Sequence, residues 1–208
     1  MNGTAHATIG AGVGFIAAQS VQAEPAGMML LIGIGSVAGL MPDLDIDGKL
    51  TNKITFSHTL IRSVAQLISL MMIVYILLEE TGTNRWVGVS IGAVIIIISS
   101  FIKQRHMLTV TGLGVFGGGL LLSEKWLILL GIYVIIASFV PHRSYTHSLL
   151  GIGYVAIIAY YLEVSLAIEG VFLACLLGYI SHLLADMKIL PFNKRGVKIF
   201  LPFSSKEF

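Results

Sequence analysis

The chain has 208 residues, 56% of them hydrophobic and only 12% charged, with a formal net charge of +2. A water-soluble domain carries about 25% charged residues, so this composition excludes a soluble globule, and it equally excludes disorder, collagen and coiled coil. A mean hydropathy of +0.89 makes lipid the solvent for much of the surface, and the expected fold class is all-α: a polytopic membrane helical bundle, one integral membrane domain over 1–208.

Taken in chain order, apolar stretches between polar clusters predict about eight spans: 7–22, 26–42, 59–78, 86–102, 108–122, 126–140, 148–168 and 170–185. Several fall short of the roughly 20 residues that a straight crossing needs. The 108–122 stretch, LTVTGLGVFGGGLLL, is glycine-rich, which suits a half-span or a closely packed small-residue interface. No basic region precedes the first apolar stretch, so no cleavable signal is expected. Cys175 stands alone in VFLACLLGYI, which excludes an intrachain disulfide and a cysteine-based zinc site, and it reads as a small packed hydrophobe. The segment 187–208 is basic and aromatic without a span-length apolar run. It is expected to lie as an interfacial cytosolic tail on anionic inner-leaflet lipid, where each Lys or Arg gains about 1 kcal/mol.

Alternating the faces of eight spans puts all but Arg85 and Lys125 of the 13 Lys and Arg on or near one side. The positive-inside rule makes that side cytosolic, together with both termini. A second asymmetry is independent of this count. All six histidines (His6, His58, His106, His142, His147 and His182) and every aspartate (Asp43, Asp45, Asp47 and Asp186) fall on the same side. The other side carries only glutamates. A solvated surface would not sort Asp from Glu in this way, so one site is expected at the cytosolic boundary.

Four segments supply its candidate ligands. They are His6 at the start of the first span, PDLDID with Asp43 and Asp45, PHRSYTHS with His142 and His147, and HLLAD with His182 and Asp186. His182 and Asp186 are four apart and so share a helical face at about 5–6 Å. Imidazole and carboxylate without thiolate suit a divalent metal, zinc first and manganese or iron next. Up to seven ligands make two ions more economical than one, since paired metals activate water and stabilise both oxygens of a phosphoester displacement. Each motif alone has a plainer reading: a helix-end hydrogen bond for HLLAD, a solvated turn or N-cap for PDLDID, a headgroup-facing loop for HRSYTHS. Asp47 reads as a turn residue and His106 as interfacial. His58 stays open, because SHTLIRS loosely echoes THSLLG. Arg143 has two readings, a bidentate clamp on phosphate or a positive-inside anchor. Thr146 and Ser148 read as hydrogen-bonding supports to the ligands.

With these residues in view, the sequence resembles the YdjM-type family of inner-membrane, predicted metal-dependent hydrolases, similar in its His/Asp pattern to zinc-dependent phospholipase C. The resemblance rests on the early His, LMPDLD, HRSYTHSLL, LGYISHLLADM and a basic stretch ending FLPF, and covers about 1–45 and 140–203. It implies metal ligation by His6, Asp43, His142, His147, His182 and Asp186, with Asp45 as the second aspartate of the PD-x-D motif. It departs from the family's usual spacing in the long insertion 46–141, which adds about four spans.

The expected function is metal-dependent hydrolysis of a phosphoester in a membrane lipid at the cytosolic face, with one or two divalent ions as cofactor and with Arg143 and Asp45 taking part in the chemistry. The rival classes are a metal-ion transporter and an accessory membrane protein with a structural metal. A transporter site usually lies near the bilayer midplane, whereas here the far face has neither His nor Asp. No nucleic acid and no nucleotide cofactor is expected, because the glycines lie inside apolar spans and form no phosphate loop.

Overall fold

Asn2 starts the first helix. Its side chain accepts from Ala5 N at 2.9 Å and satisfies one of the otherwise unbonded first-turn amides, so α1 runs Gly3–Ser20, earlier than the apolar pattern alone suggests. In the computed structural model, residues 2–44, 57–79, 81–141, 143–188 and 196–208 are described. The remaining helices are α2 (Pro25–Ala38), α3 (His58–Glu79), α4 (Gly82–Ser100), α5 (Gln104–Leu122), α6 (Lys125–Ala137), α7 (Leu149–Leu166) and α8 (Val171–Asp186). Each predicted apolar stretch therefore corresponds to one helix, and no strand occurs among the described residues. Two 3-10 turns, Met41–Leu44 and Tyr145–His147, follow α2 and precede α7.

By length and composition, α4, α7 and residues 58–78 of α3 are long and apolar enough to cross a membrane. Three others are shorter, in keeping with the expectation that several stretches fall short of a straight crossing. With 14 residues, α2 is about 21 Å long at 1.5 Å per residue, against a hydrocarbon core of about 30 Å. α6 and α8 are also short apolar helices. α2 ends at Ala38 and the 3-10 turn Met41–Leu44 contains Pro42, so the last residues of the 26–42 stretch are spent on turning the chain rather than on crossing.

The chain forms two compact units, Met1–Thr51 with Leu108–Phe208, and Asn52–Met107. In the smaller unit, α3 and α4 pack as an antiparallel pair, with Gly88 and Gly92 set against Ile76 and Ile73. Most of their apolar side chains face outward; Leu78 and Met71 are 78% and 65% exposed. Gln66 Nε2 donates to Ser100 Oγ at 3.1 Å across the pair. His58 Nδ1 lies 2.6 Å from Gln104 Oε1, and His106 Nδ1 accepts from Lys103 N at 3.0 Å. Both histidines thus have local partners inside this unit.

In the larger unit, α8 packs on α1, α2 and α7. The α1–α2 contact is backbone to backbone: a Cβ at Gly10 would run into the carbonyl of Gly35, and one at Gly35 into the carbonyl of Gly10. Small residues allow such approach where apolar side chains gain nothing by leaving lipid. The turn from α7 to α8 uses left-handed backbone at Ala167 and Gly170 (φ 53° and 94°). Glu163 Oε2 then accepts from Phe172 N at 2.8 Å, at the start of α8. Up-and-down connection gathers the start of α1, the end of α2, the start of α7 and the end of α8 at one end of this unit. The glutamates Glu24, Glu124 and Glu163 lie at or near the opposite helix ends.

The 196–208 segment does not trail away from the larger unit. Val197 is fully buried and exchanges backbone hydrogen bonds with Phe208, and Leu149 N donates to Ile199 O at 2.9 Å. The segment is tied to the first residue of α7, while Phe203 stays 93% exposed.

Candidate metal centre

The four helix ends that meet in the larger unit carry a cluster of its ionisable side chains. His6 comes from the second turn of α1, Asp43 from the 3-10 turn after α2, Arg143 and His147 from the connection into α7, and His182 and Asp186 from the end of α8. His6, His147, His182 and Asp186 are each at most 2% exposed and Asp43 is 9% exposed. Burying so many ionisable groups is costly unless they pair, bond or hold an ion.

His182 sits at the centre. Its Nδ1 lies 2.7 Å from the Gly39 carbonyl, a contact in which the ring donates its N–H. That leaves Nε2 toward the carboxylates, 3.6 Å from Asp43 Oδ1 and 3.9 Å from Asp186 Oδ2. His6 stacks on the same ring with centroids 3.8 Å apart and places Nε2 3.3 Å from Asp186 Oδ1. His147 meets it edge-on at 5.2 Å and places Nε2 3.9 Å from Asp43 Oδ1. Thr146 Oγ1 is 3.1 Å from His147 Nδ1, so the hydroxyl helps to orient that ring.

Most of these separations are too long for strong hydrogen bonds. They are the separations expected of atoms sharing a cation, since two donors about 2.1 Å from one ion at the tetrahedral angle lie about 3.4 Å apart. Two overlapping triads have ligand atoms all within 4.8 Å of one another: His6, Asp43 and His182, and His147, His182 and Asp186. Either could hold a divalent ion, and both use His182.

Arg143 flanks the cluster. It donates from its guanidinium to Asp186 Oδ2 at 3.0 Å with a side chain 22% exposed, so one edge is committed to the buried carboxylate while part remains accessible. Its backbone is left-handed, with φ 60°, a conformation that costs a non-glycine residue free energy and persists where the surroundings impose it.

The sequence motifs therefore meet as follows. His6, Asp43, Arg143, His147, His182 and Asp186 come together; His58 and His106 belong to the other unit; Asp45 and His142, expected as ligands, lie outside the described residues. Sequence reading named Thr146 as a support but missed the tyrosines behind it. Tyr179 donates its hydroxyl to the Thr146 carbonyl, and the Tyr133 hydroxyl reaches both the Met41 carbonyl (3.2 Å) and the Tyr179 hydroxyl (3.3 Å). This buried chain joins the turn that carries Asp43 to the turn that carries His147. Tyr179 precedes His182 by three, a spacing that shares a helical face and could have flagged it. Tyr133 had no local signal.

The model of the YdjM inner membrane protein family matches residues 1–208, the whole chain. No curated protein and no solved structure matches it.

Proposed function

Because the chain belongs to the YdjM inner membrane protein family, we propose that it is a multi-pass, metal-dependent hydrolase whose site faces the cytosol and acts on a phosphoester of a membrane lipid. The observation that carries this reading is the buried meeting of His6, Asp43, His147, His182 and Asp186 around His182. A structural zinc site is usually closed by four ligands and often by thiolates; here more than four N and O donors gather without a cysteine, and one wall is a partly exposed arginine.

In this reading His6, Asp43, His147, His182 and Asp186 hold one or two divalent ions, zinc foremost, with Asp45 and His142 as further donors. The metal supplies Lewis-acid polarisation of the phosphoester and a water of lowered pKa. The chain does the rest. Gly39 and Thr146 fix the two imidazoles, so that little reorganisation is needed when charge develops. Arg143 presents a guanidinium that grips phosphate oxygens through paired N–H donors. Asp186 holds that guanidinium at the edge of the cluster.

Orientation follows from charge. The site end of the larger unit carries Arg143, Lys188 and the 196–208 segment with Lys198 and Lys206, and the opposite end is glutamate-rich, so the positive-inside rule turns the site toward the cytosol. The basic tail would rest on anionic inner-leaflet headgroups beside the substrate. The test joins metal analysis of purified protein with phosphate release from a lipid phosphoester. Stoichiometric metal and turnover, both lost in His182→Ala, are expected. Full turnover by verified metal-free protein overturns the reading.

A further inference from the structure

Beside the His/Asp cluster the larger unit holds a cavity of about 250 Å³ between α6 and α7, whose walls include Tyr133, Ala137, Val140, Thr146, Leu150 and Tyr154. Its surface is apolar even though three of these residues carry hydroxyls. The Tyr133 hydroxyl is turned to the Met41 carbonyl, the Tyr154 hydroxyl donates to the Leu129 carbonyl at 3.0 Å, and Thr146 Oγ1 lies against His147. Ring faces and aliphatic carbons are left to line the space. Ile136, Tyr145 and Leu150 in its wall remain about half exposed, so the cavity opens on the apolar outer surface of the unit.

Two residues fix its relation to the site. Thr146 lines the cavity and touches the His147 ring. Arg143, whose side chain is partly exposed, lies two residues before Tyr145 in the same connection. An apolar slot thus adjoins, through Thr146, the His/Asp cluster that Arg143 flanks, which is the pattern of an anionic amphiphile: an acidic headgroup at the cluster and a hydrocarbon chain in the slot. A polar, water-soluble phosphoester would leave the slot without a partner. We propose that this cavity is the hydrocarbon-chain subsite for a phosphate-bearing lipid. The proposal rests on the hydrolase reading for the position of the headgroup, and on the cavity itself for the chain.

The subsite selects by chain length. A chain entering from the bilayer gains no hydrophobic free energy, so the selection rests on its van der Waals fit to the walls, which stops where the cavity ends. Bulk at Leu150, which is half exposed and has room to change rotamer, shortens the slot; bulk at Ala137 fills it from the buried side.

The experiment needs no turnover. The full chain in nanodiscs is labelled with trace phosphatidic acid carrying a photoreactive diazirine at one acyl position, and the labelled peptides are mapped. Labelling is expected to concentrate on 133–154, to fall at least fivefold in Leu150→Trp and Ala137→Phe, and to persist in Leu121→Trp, which alters an 88% exposed residue of α5 away from the cavity. Retained circular dichroism in Leu150→Trp keeps the test valid should Ala137→Phe fail to fold. Labelling spread evenly over the exposed apolar residues, or unchanged by Leu150→Trp, overturns the subsite. Metal analysis of the same sample separates the two readings: cavity labelling in protein that binds no metal refutes the hydrolase and keeps the lipid site.

Discussion

His182 Nδ1 and the Gly39 carbonyl lie 2.7 Å apart across 143 positions of sequence, and this contact sets which imidazole nitrogen faces Asp43 and Asp186. Gly39 has no room for a side chain: a Cβ there would be 2.9 Å from the His6 carbonyl. One position thus controls two candidate ligands, because adding a methyl pushes α1 with His6 in one direction and α2 with the acceptor of His182 in the other. Gly39→Ala is expected to cost about 1–3 kcal/mol by overpacking and to lower metal occupancy more than ten-fold by loss of the supporting contact. Thermal unfolding and metal stoichiometry on the same preparation check this; a stable variant with full metal content would show that the tether does not position the ring.

Arg143 tests whether geometry or charge alone matters at the edge of the cluster. Lysine keeps the charge and loses the planar fork. Arg143→Lys is expected to raise KM for a lipid phosphoester about ten-fold or more, since hydrogen bonds to charged groups contribute about 1.5–3 kcal/mol. Arg143→Gly removes the left-handed strain at φ 60° but leaves the buried Asp186 carboxylate without its guanidinium partner, so it should lose both activity and thermal stability. Steady-state kinetics and unfolding curves measured together separate the two effects. Equal kinetics for Arg and Lys would make Arg143 a charge anchor only.

How much of this was legible beforehand depends on the range of the signal. His182 and Asp186 were readable because four residues is one turn of helix, and Asp43 because Pro42 marks the turn. His6, His147 and Asp43 were readable as a set only through the sorting of His and Asp from Glu along the chain, which the helix ends of the larger unit reproduce. Gly39 and Tyr133 were not readable. Gly39 acts through a backbone carbonyl, and Tyr133 through a hydroxyl that reaches Met41 from a helix that is apolar beyond Lys125; both roles exist only after packing. The division at 52–107 was hidden for a related reason, since α3 and α4 have the same apolar composition as the rest of the chain. The helix lengths were misjudged where Asn2 and Pro42 act, because capping and turning depend on single residues and leave hydropathy almost unchanged.

The tyrosine chain gives a prediction about stability that is independent of metal. Tyr179 is fully buried and its hydroxyl serves Thr146 and Tyr133. Tyr179→Phe keeps the ring and leaves the Thr146 carbonyl with one bond fewer. The expected loss is about 1–3 kcal/mol, the cost of an unsatisfied buried group. Tyr133→Phe removes the bond to Met41, so the two changes act on one network and should be less than additive. A double-mutant cycle by chemical unfolding measures this; strict additivity would mean that the turns carrying Asp43 and His147 are not coupled through these hydroxyls.

Metal removal links the site to the fold. The cluster brings His6, Asp43, His147, His182 and Asp186 together from four segments, so an ion bound there holds the ends of α1 and α8 against the turns that follow α2 and precede α7. An ion that binds only the folded chain adds about 2.7 kcal/mol at a hundred times its dissociation constant. Chelation is therefore expected to lower the Tm of the wild type by several degrees, and re-addition of zinc to restore it. His182→Ala, which removes the residue common to both triads, should start from the lower Tm and respond to neither treatment. A scan of all four samples in one detergent decides the matter: a chelator-induced fall of equal size in His182→Ala would place the responsive ion somewhere other than this cluster.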